Sequence, residues 1–112
     1  MHTPEFLAHR SIVSVTGADA EAFLNGIVTV STTDLATGEL RYGALLTPQG
    51  KVIADMLLAR EGEAILLDCA GSAAPALLKR LTLMKLRAAI TIEERPELLG
   101  TGRMAQLAQG LR

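Results

Sequence analysis

Apolar and polar positions change period several times along the 112-residue chain, and each change marks an element. Residues 11–17 alternate Ile and Val with small polar side chains and stop on glycine, which predicts a short strand. Ala20, Phe23, Leu24 and Ile27 then recur at helical spacing and form one apolar stripe. Thr16 and Asp19 have the spacing of a capping box, with aspartate in place of glutamate, and Gly26 is positioned to end the helix. Residues 29–40 lose all periodicity, are rich in Thr and Ser, and hold Asp34 and Gly38, which reads as a loop. Two apolar runs follow, 41–46 and 51–60, joined by Thr47, Pro48, Gln49 and Gly50; Pro48 suits the second turn position and Gly50 supplies a positive φ if one is needed. A second tight turn at 60–64 leads into a third strand at 64–69, completing an antiparallel meander.

Residues 71–88 carry the strongest helical signal, with Ser72 as N-cap and Pro75 in the first turn, where its missing N–H costs nothing. Leu77, Leu78, Leu81 and Met84 form its stripe. Residues 88–94 read as a last strand, stopped by Pro96, and Met104, Leu107, Ala108 and Leu111 give the tail a weak helical character. The order β-α-β-β-β-α-β predicts an α+β fold: a split βαββαβ-like antiparallel sheet with an extra hairpin strand and two helices on one face. The expected organisation is an N-terminal arm at 1–10, a folded domain at 11–95 and a divergent C-terminal tail at 96–112.

Composition makes this fold affordable. Hydrophobic residues are 49% and charged residues 21%, while aromatics are only 3%, so the core must be aliphatic. A net charge of −1 supplies no pull toward nucleic acid or anionic lipid. Cys69 is the single cysteine, which excludes an intramolecular disulfide, and its setting reads as a half-buried strand end where it acts as a small hydrophobe. The first residues lack the apolar core of a signal peptide and no run approaches the ~20 apolar residues of a membrane span, so a soluble, cytoplasmic protein is expected.

Candidate chemistry is sparse. His2 and His9 lie in the polar arm with no further histidine, so no metal site is expected. No phosphate-cradling glycine motif is present, and Ser11, Ser14, Ser31 and Ser72 lack a partnering histidine. Lys79, Arg80, Lys85 and Arg87 make the second helix basic, which reads better as a solvated face than as an RNA contact. Asp55 is the residue out of place: alternation along 51–60 sets Lys51, Ile53, Asp55 and Leu57 on one face and Val52, Ala54, Met56 and Leu58 on the other. Strands deplete aspartate, so Asp55 is either an edge or surface residue or a group that meets a polar ligand.

Four blocks, "FLNGIVT" (23–29), "RYGALLTPQGKVIADMLL" (41–58), "AILLDCA" (64–70) and "LLKRLTLMKLRA" (77–88), occur in an order and spacing that resembles the N-terminal portion of the glycine-cleavage T-protein (aminomethyltransferase) superfamily. The branch most resembled is the YgfZ-type folate-binding proteins implicated in iron–sulfur cluster assembly and repair, over residues 10–94. The resemblance implies tetrahydrofolate as cofactor in a central cavity, with Asp55 at or beside the aspartate that assists methylene transfer. A carboxylate there can accept pterin N–H groups and hold developing positive charge near the reacting nitrogen. Tyr42, by stacking, and Arg41 would border the cavity, and residues 47–51, ending in Lys51, would line its entrance. Family members run longer and carry a "KGCYxGQE"-like motif in a later portion that this sequence lacks; Cys69 does not correspond to it, and Val30 and Ser31 stand where an Asn-Asp pair is usual. The chain is therefore expected to be truncated relative to the full family fold, to bind folate without turnover, and to self-associate through surface left open. Iron–sulfur proteins are the implied clients. A non-catalytic interaction module that self-associates stays open as the alternative, as does the question of whether the chain is an enzyme.

Overall fold

The computed structural model describes residues 10–98. Its elements are β1 (Arg10–Thr16), α1 (Ala20–Asn25), β2 (Leu40–Leu46), β3 (Val52–Glu61), β4 (Ala64–Ala70), α2 (Ala74–Lys85) and β5 (Thr91–Glu94), followed by a 3-10 turn at Pro96–Leu98. The five strands form one sheet in the order β2-β3-β4-β1-β5, with every neighbouring pair antiparallel. The β4-α2-β5 crossover leaves a gap that β1 fills, which is the split βαβ arrangement expected from the element order. The N-terminal arm before Arg10, with His2 and His9, and the tail beyond Leu98, with Met104, Leu107, Ala108 and Leu111, lie outside the described residues.

Both helices cover the same face. Val13, Val15, Leu45, Met56, Leu58, Ile65, Leu67 and Cys69 point from the strands toward Ala20 and Leu24 of α1 and Ala74, Leu77 and Leu81 of α2, and this cluster is the core. Burying an aliphatic side chain contributes roughly 1.5–3 kcal/mol, so this one contiguous layer supplies most of the stability. In α2 the apolar centre is Ala74, Leu77 and Leu81; Met84, expected in the stripe, lies at its margin and is 38% exposed. Ser72 does not cap α2, whose N-cap is Ala73 with no side-chain cap, while Pro75 does fall in the first turn.

Asp19 has a different role from the capping one its spacing suggests. It precedes α1 but makes no cap bond. Its carboxylate instead accepts the Ala89 N–H at 2.7 Å, and its own N–H donates to the Ala89 carbonyl at 3.3 Å. This ties the start of α1 to the approach of β5 and brings Gly17, at φ +132, so close that a Cβ there would sit 2.3 Å from the Ala89 carbonyl oxygen. Only glycine permits that contact. Gly43, in β2, is likewise constrained: a Cβ would meet Val30 Cγ1 at 2.5 Å.

The segment between α1 and β2 is more ordered than its composition indicates. Thr32 and Leu35 are buried. The Thr32 hydroxyl donates to the Glu21 carbonyl at 2.7 Å and the Thr32 N–H to Asn25 Oδ1 at 3.0 Å. Val28 and Thr37 form isolated bridges to Leu45 and Arg60.

The face without helices divides in two. Ile12, Ser14, Ala59 and Leu66 are buried at its centre, beside the Arg10–Asp68 ion pair at 2.9 Å. Toward β2 and the tip of the β2–β3 hairpin it is exposed, and a β-bulge shapes it there. Leu45 pairs with Ala54 but Leu46 pairs with Val52, leaving Ile53 as the extra residue. Paired residues share a face, so Val52 joins Leu46 instead of the face of Ala54, Met56 and Leu58 to which simple alternation assigned it. No helix among the described residues is long and apolar enough to cross a membrane.

Candidate functional site

Asp55 lies in the middle of β3, opposite Ala44 of β2, on the face that carries no helix, and it is exposed. It is a surface aspartate, not a buried one. Tyr42, opposite Leu57, is its diagonal cross-strand neighbour, and such neighbours are within reach of a long aromatic side chain. The Tyr42 hydroxyl donates to Asp55 Oδ2. That hydrogen bond first, then partial desolvation and the negative charge of Asp55, hold the phenol pKa above its ordinary value. With Oδ2 engaged by Tyr42, the other carboxylate oxygen makes no hydrogen bond among the described residues.

Apolar surface surrounds this pair. Tyr42 is 64% exposed and Val52 62% exposed, with Leu46 opposite Val52 on the same side and Leu57 half-buried next to Tyr42. A flat aliphatic and aromatic shelf with one oriented carboxylate can receive a planar ring whose edge carries N–H donors. Leu46 and Val52 were not singled out from the sequence, because their shared orientation depends on the bulge. A departure from the expected β2–β3 pairing was the one signal that could have found them.

Lys51 sits at the hairpin tip, exposed, one residue before β3 begins. The turn is closed by the Thr47 N–H donating to the Lys51 carbonyl at 2.7 Å, the Gly50 N–H to the Thr47 carbonyl at 2.9 Å, and the Lys51 N–H to Thr47 Oγ1 at 3.1 Å. Gly50 has φ +90, the positive value anticipated for it.

Arg41 is not brought together with Tyr42 and Asp55. It lies on the helix-covered side of β2, since its partner Leu58 is a core residue there. Its guanidinium donates to the carbonyls of Ser31 at 2.8 Å and Thr33 at 2.9 Å and to Glu39 Oε2 at 2.9 Å, so it fastens the loop before β2. The hydrogen bond from Arg41, reinforced by the Ala36 N–H, holds the Glu39 carboxyl below the usual carboxylate range.

Cys69 is also on the helix side, fully buried, where loss of solvation pushes its thiol pKa up. Among the described residues no group of three or more His, Cys, Asp or Glu side chains is arranged to hold a metal ion.

Comparison with known proteins matches residues 7–95 to the family described as GCVT N-terminal domain. The mitochondrial iron-sulfur cluster assembly factor IBA57 of Mus musculus is 35% identical over 106 residues, spanning 80% of this chain and 29% of that protein. An aminomethyltransferase of Bacillus cytotoxicus is 37% identical over 57 residues, 51% of this chain and 16% of its own length. In fold, the crystal structure of the glycine cleavage system aminomethyltransferase T from Bartonella henselae superposes with a TM-score of 0.75 at 23% identity, covering 80% of this chain and 25% of that one. The chain thus spans less than a third of the length of these relatives.

Proposed function

The chain belongs to the GCVT N-terminal domain family, and from that premise we propose that its Tyr42–Asp55 shelf binds the pterin ring of tetrahydrofolate. The observation that carries this reading is an exposed carboxylate, oriented by a tyrosine hydroxyl, at the centre of an exposed apolar strip. The residues present fit such a ring. Tyr42, Leu46 and Val52 offer flat contact area, and the free oxygen of Asp55 accepts an N–H from the ring edge. Tyr42 acts as an orienting donor that fixes the carboxylate rotamer. Lys51, at the hairpin tip, is placed for the anionic end of the molecule. Arg41 serves from behind, by holding the 31–39 loop against β2.

Bound tetrahydrofolate would supply a one-carbon acceptor nitrogen. The chain's own share is to bind and orient the ring and to place negative charge beside it. We assign it binding without turnover, in the service of iron–sulfur cluster assembly, the process named for its mouse relative.

Calorimetric titration of tetrahydrofolate into the wild-type chain, Asp55→Asn and Tyr42→Phe tests the proposal. A hydrogen bond to a charged group contributes roughly 1.5–3 kcal/mol, so Asp55→Asn is expected to weaken binding by at least about tenfold. Tyr42→Phe keeps the ring and is expected to weaken it less. Absence of wild-type binding, or equal affinity in Asp55→Asn, overturns the assignment.

The same exposed strip of Tyr42, Leu46 and Val52 favours a second reading, in which this face pairs with a second copy. Sedimentation of Val52→Lys separates the two: a concentration-dependent dimer that the variant abolishes, without any folate binding by the wild type, would favour self-association.

A further inference from the structure

Between Asp68 and Glu93 the chain holds no acidic residue, yet it carries Lys79, Arg80, Lys85 and Arg87. With a net charge of −1 overall, the rest of the molecule is therefore at −5, so charge is strongly segregated onto α2 and the turn after it. None of these four cations forms an ion pair among the described residues.

Apolar side chains are exposed in their midst. Lys79, Leu83 and Leu86 follow one another at intervals of four and three residues, which places them along one side of the helix. Leu83 is 62% exposed, Leu86 86% and Met84 38%. Leu83 and Leu86 lie on the side of α2 away from Ala74, Leu77 and Leu81, with Met84 at its margin, and no described element covers them.

Leu86 adds a second, independent observation. The Ala88 N–H donates to the Lys85 carbonyl at 2.8 Å and closes a four-residue turn. Leu86 occupies its first central position with φ 46 and ψ −110, close to the angles of a type II′ turn, where glycine is the usual residue. A glycine would make this turn without strain. At 86% exposure the leucine side chain adds little to the described core, and its backbone is strained. Among the described residues its apolar surface is left open to another molecule.

We propose that the solvent side of α2 and its C-terminal turn form a docking surface for an acidic, amphipathic helix of a partner protein. Leu83 and Leu86 are the apolar anchors, and Lys79, Arg80 and Arg87 pair with flanking carboxylates. Charge complementarity selects an acidic partner, and the leucines select one with an apolar stripe. Nucleic acid suits the surface less, because no aromatic side chain lies on it to stack bases. The surface is on the opposite side of the sheet from Tyr42 and Asp55, so docking leaves that shelf accessible and the two assignments stand or fall separately.

The test is fluorescence anisotropy with a labelled synthetic helical peptide bearing leucines on one side and glutamates flanking them. A peptide of the same composition in scrambled order, a single-stranded RNA and phosphatidylcholine–phosphatidylglycerol vesicles serve as the other probes. The striped peptide is expected to bind tightest, and both Leu86→Gly and the charge reversal Lys79→Glu with Arg87→Glu are expected to weaken it by about tenfold or more. Leu86→Gly relieves the turn, so its melting temperature should rise while binding falls, which separates lost contact from lost fold. Equal binding of striped and scrambled peptides, tighter binding of RNA or vesicles, or full affinity in Leu86→Gly would each overturn the proposal.

Discussion

Replacing Gly17 with alanine tests how the two ends of the fold are joined. The new Cβ would lie 2.3 Å from the Ala89 carbonyl oxygen, 3.0 Å from Ile90 Cα and 3.1 Å from the Ala89 carbonyl carbon. All three are backbone atoms, so no side-chain rotation relieves the contact, and the 88–90 segment has to move away. Moving it breaks both links between Asp19 and Ala89, at 2.7 and 3.3 Å. A left-handed φ costs a non-glycine residue about 1–2 kcal/mol. Two hydrogen bonds at an exposed residue add about 1–2 kcal/mol, at the low end of the usual range for a pair. The sum is about 3 kcal/mol, a large part of the roughly 5–15 kcal/mol that stabilises a domain. Gly62→Ala is the reference, because Gly62 also has positive φ, at +61, but nothing lies within 4 Å of its Cβ position. It is expected to cost only about 1 kcal/mol. Urea unfolding followed by circular dichroism measures both. If Gly17→Ala costs no more than Gly62→Ala, the close approach does not hold β5 in place and the reasoning fails.

Tyr42 is the only tyrosine and the chain has no tryptophan, so ultraviolet titration reads this phenol alone. Its folded-state pKa is raised, chiefly by the hydrogen bond to Asp55, so the interaction's contribution to stability is complete below the ordinary phenol range and disappears as pH climbs through the folded value. Asp55→Asn should bring the titration back toward the ordinary range, and an unchanged curve would show that the hydrogen bond does not form. Arg41→Ala should speed backbone amide exchange across residues 31–39 while leaving tetrahydrofolate affinity unchanged; lost affinity would place Arg41 at the ring. Gly43→Ala should cost about 1–3 kcal/mol by crowding Val30, and Val30→Ala in the same chain should recover much of it, as a double-mutant cycle by urea unfolding would show. The Cys69 thiol, buried and with its pKa pushed up, should react with a thiol reagent no faster than the chain unfolds; rapid labelling of the native protein would contradict its burial.

What the sequence made legible was local, and what it hid depended on pairing between distant segments. The strands and helices declared themselves through period, because each buries one face and a periodic pattern is the only way a linear chain can do so. Pro75 took the position its backbone chemistry dictates, while Gly26 ends α1 in the ordinary right-handed conformation, at φ −80, which any residue adopts. Leu35 was invisible in a Thr- and Ser-rich segment, since its burial follows from the hydrogen bonds of Thr32 and the bridge between Thr37 and Arg60. Asp19 looked like a cap, but the position of Ala89, seventy residues on, gave it stronger partners.

The proposed site shows the same division. Alternation along β2 already required Arg41 and Tyr42 to face opposite ways, whereas family resemblance grouped them at one cavity. The structure follows the alternation and joins Arg41 to the loop. Alternation failed at the bulge, where Val52, an expected core residue, turned outward beside Leu46, and Ile53, expected on the face of Asp55, packs against the helix-side core. That one inserted residue widens the apolar ground around Asp55 and turns a lone surface carboxylate into a shelf able to hold a ring. Because register sets the shelf, removing the bulge by inserting one alanine between Leu45 and Leu46, opposite Ile53, should turn Val52 and Leu46 toward the helix side and abolish tetrahydrofolate binding while Tyr42 and Asp55 remain in the chain. Binding that survived the insertion would show that the tyrosine–aspartate pair suffices and that the shelf is incidental.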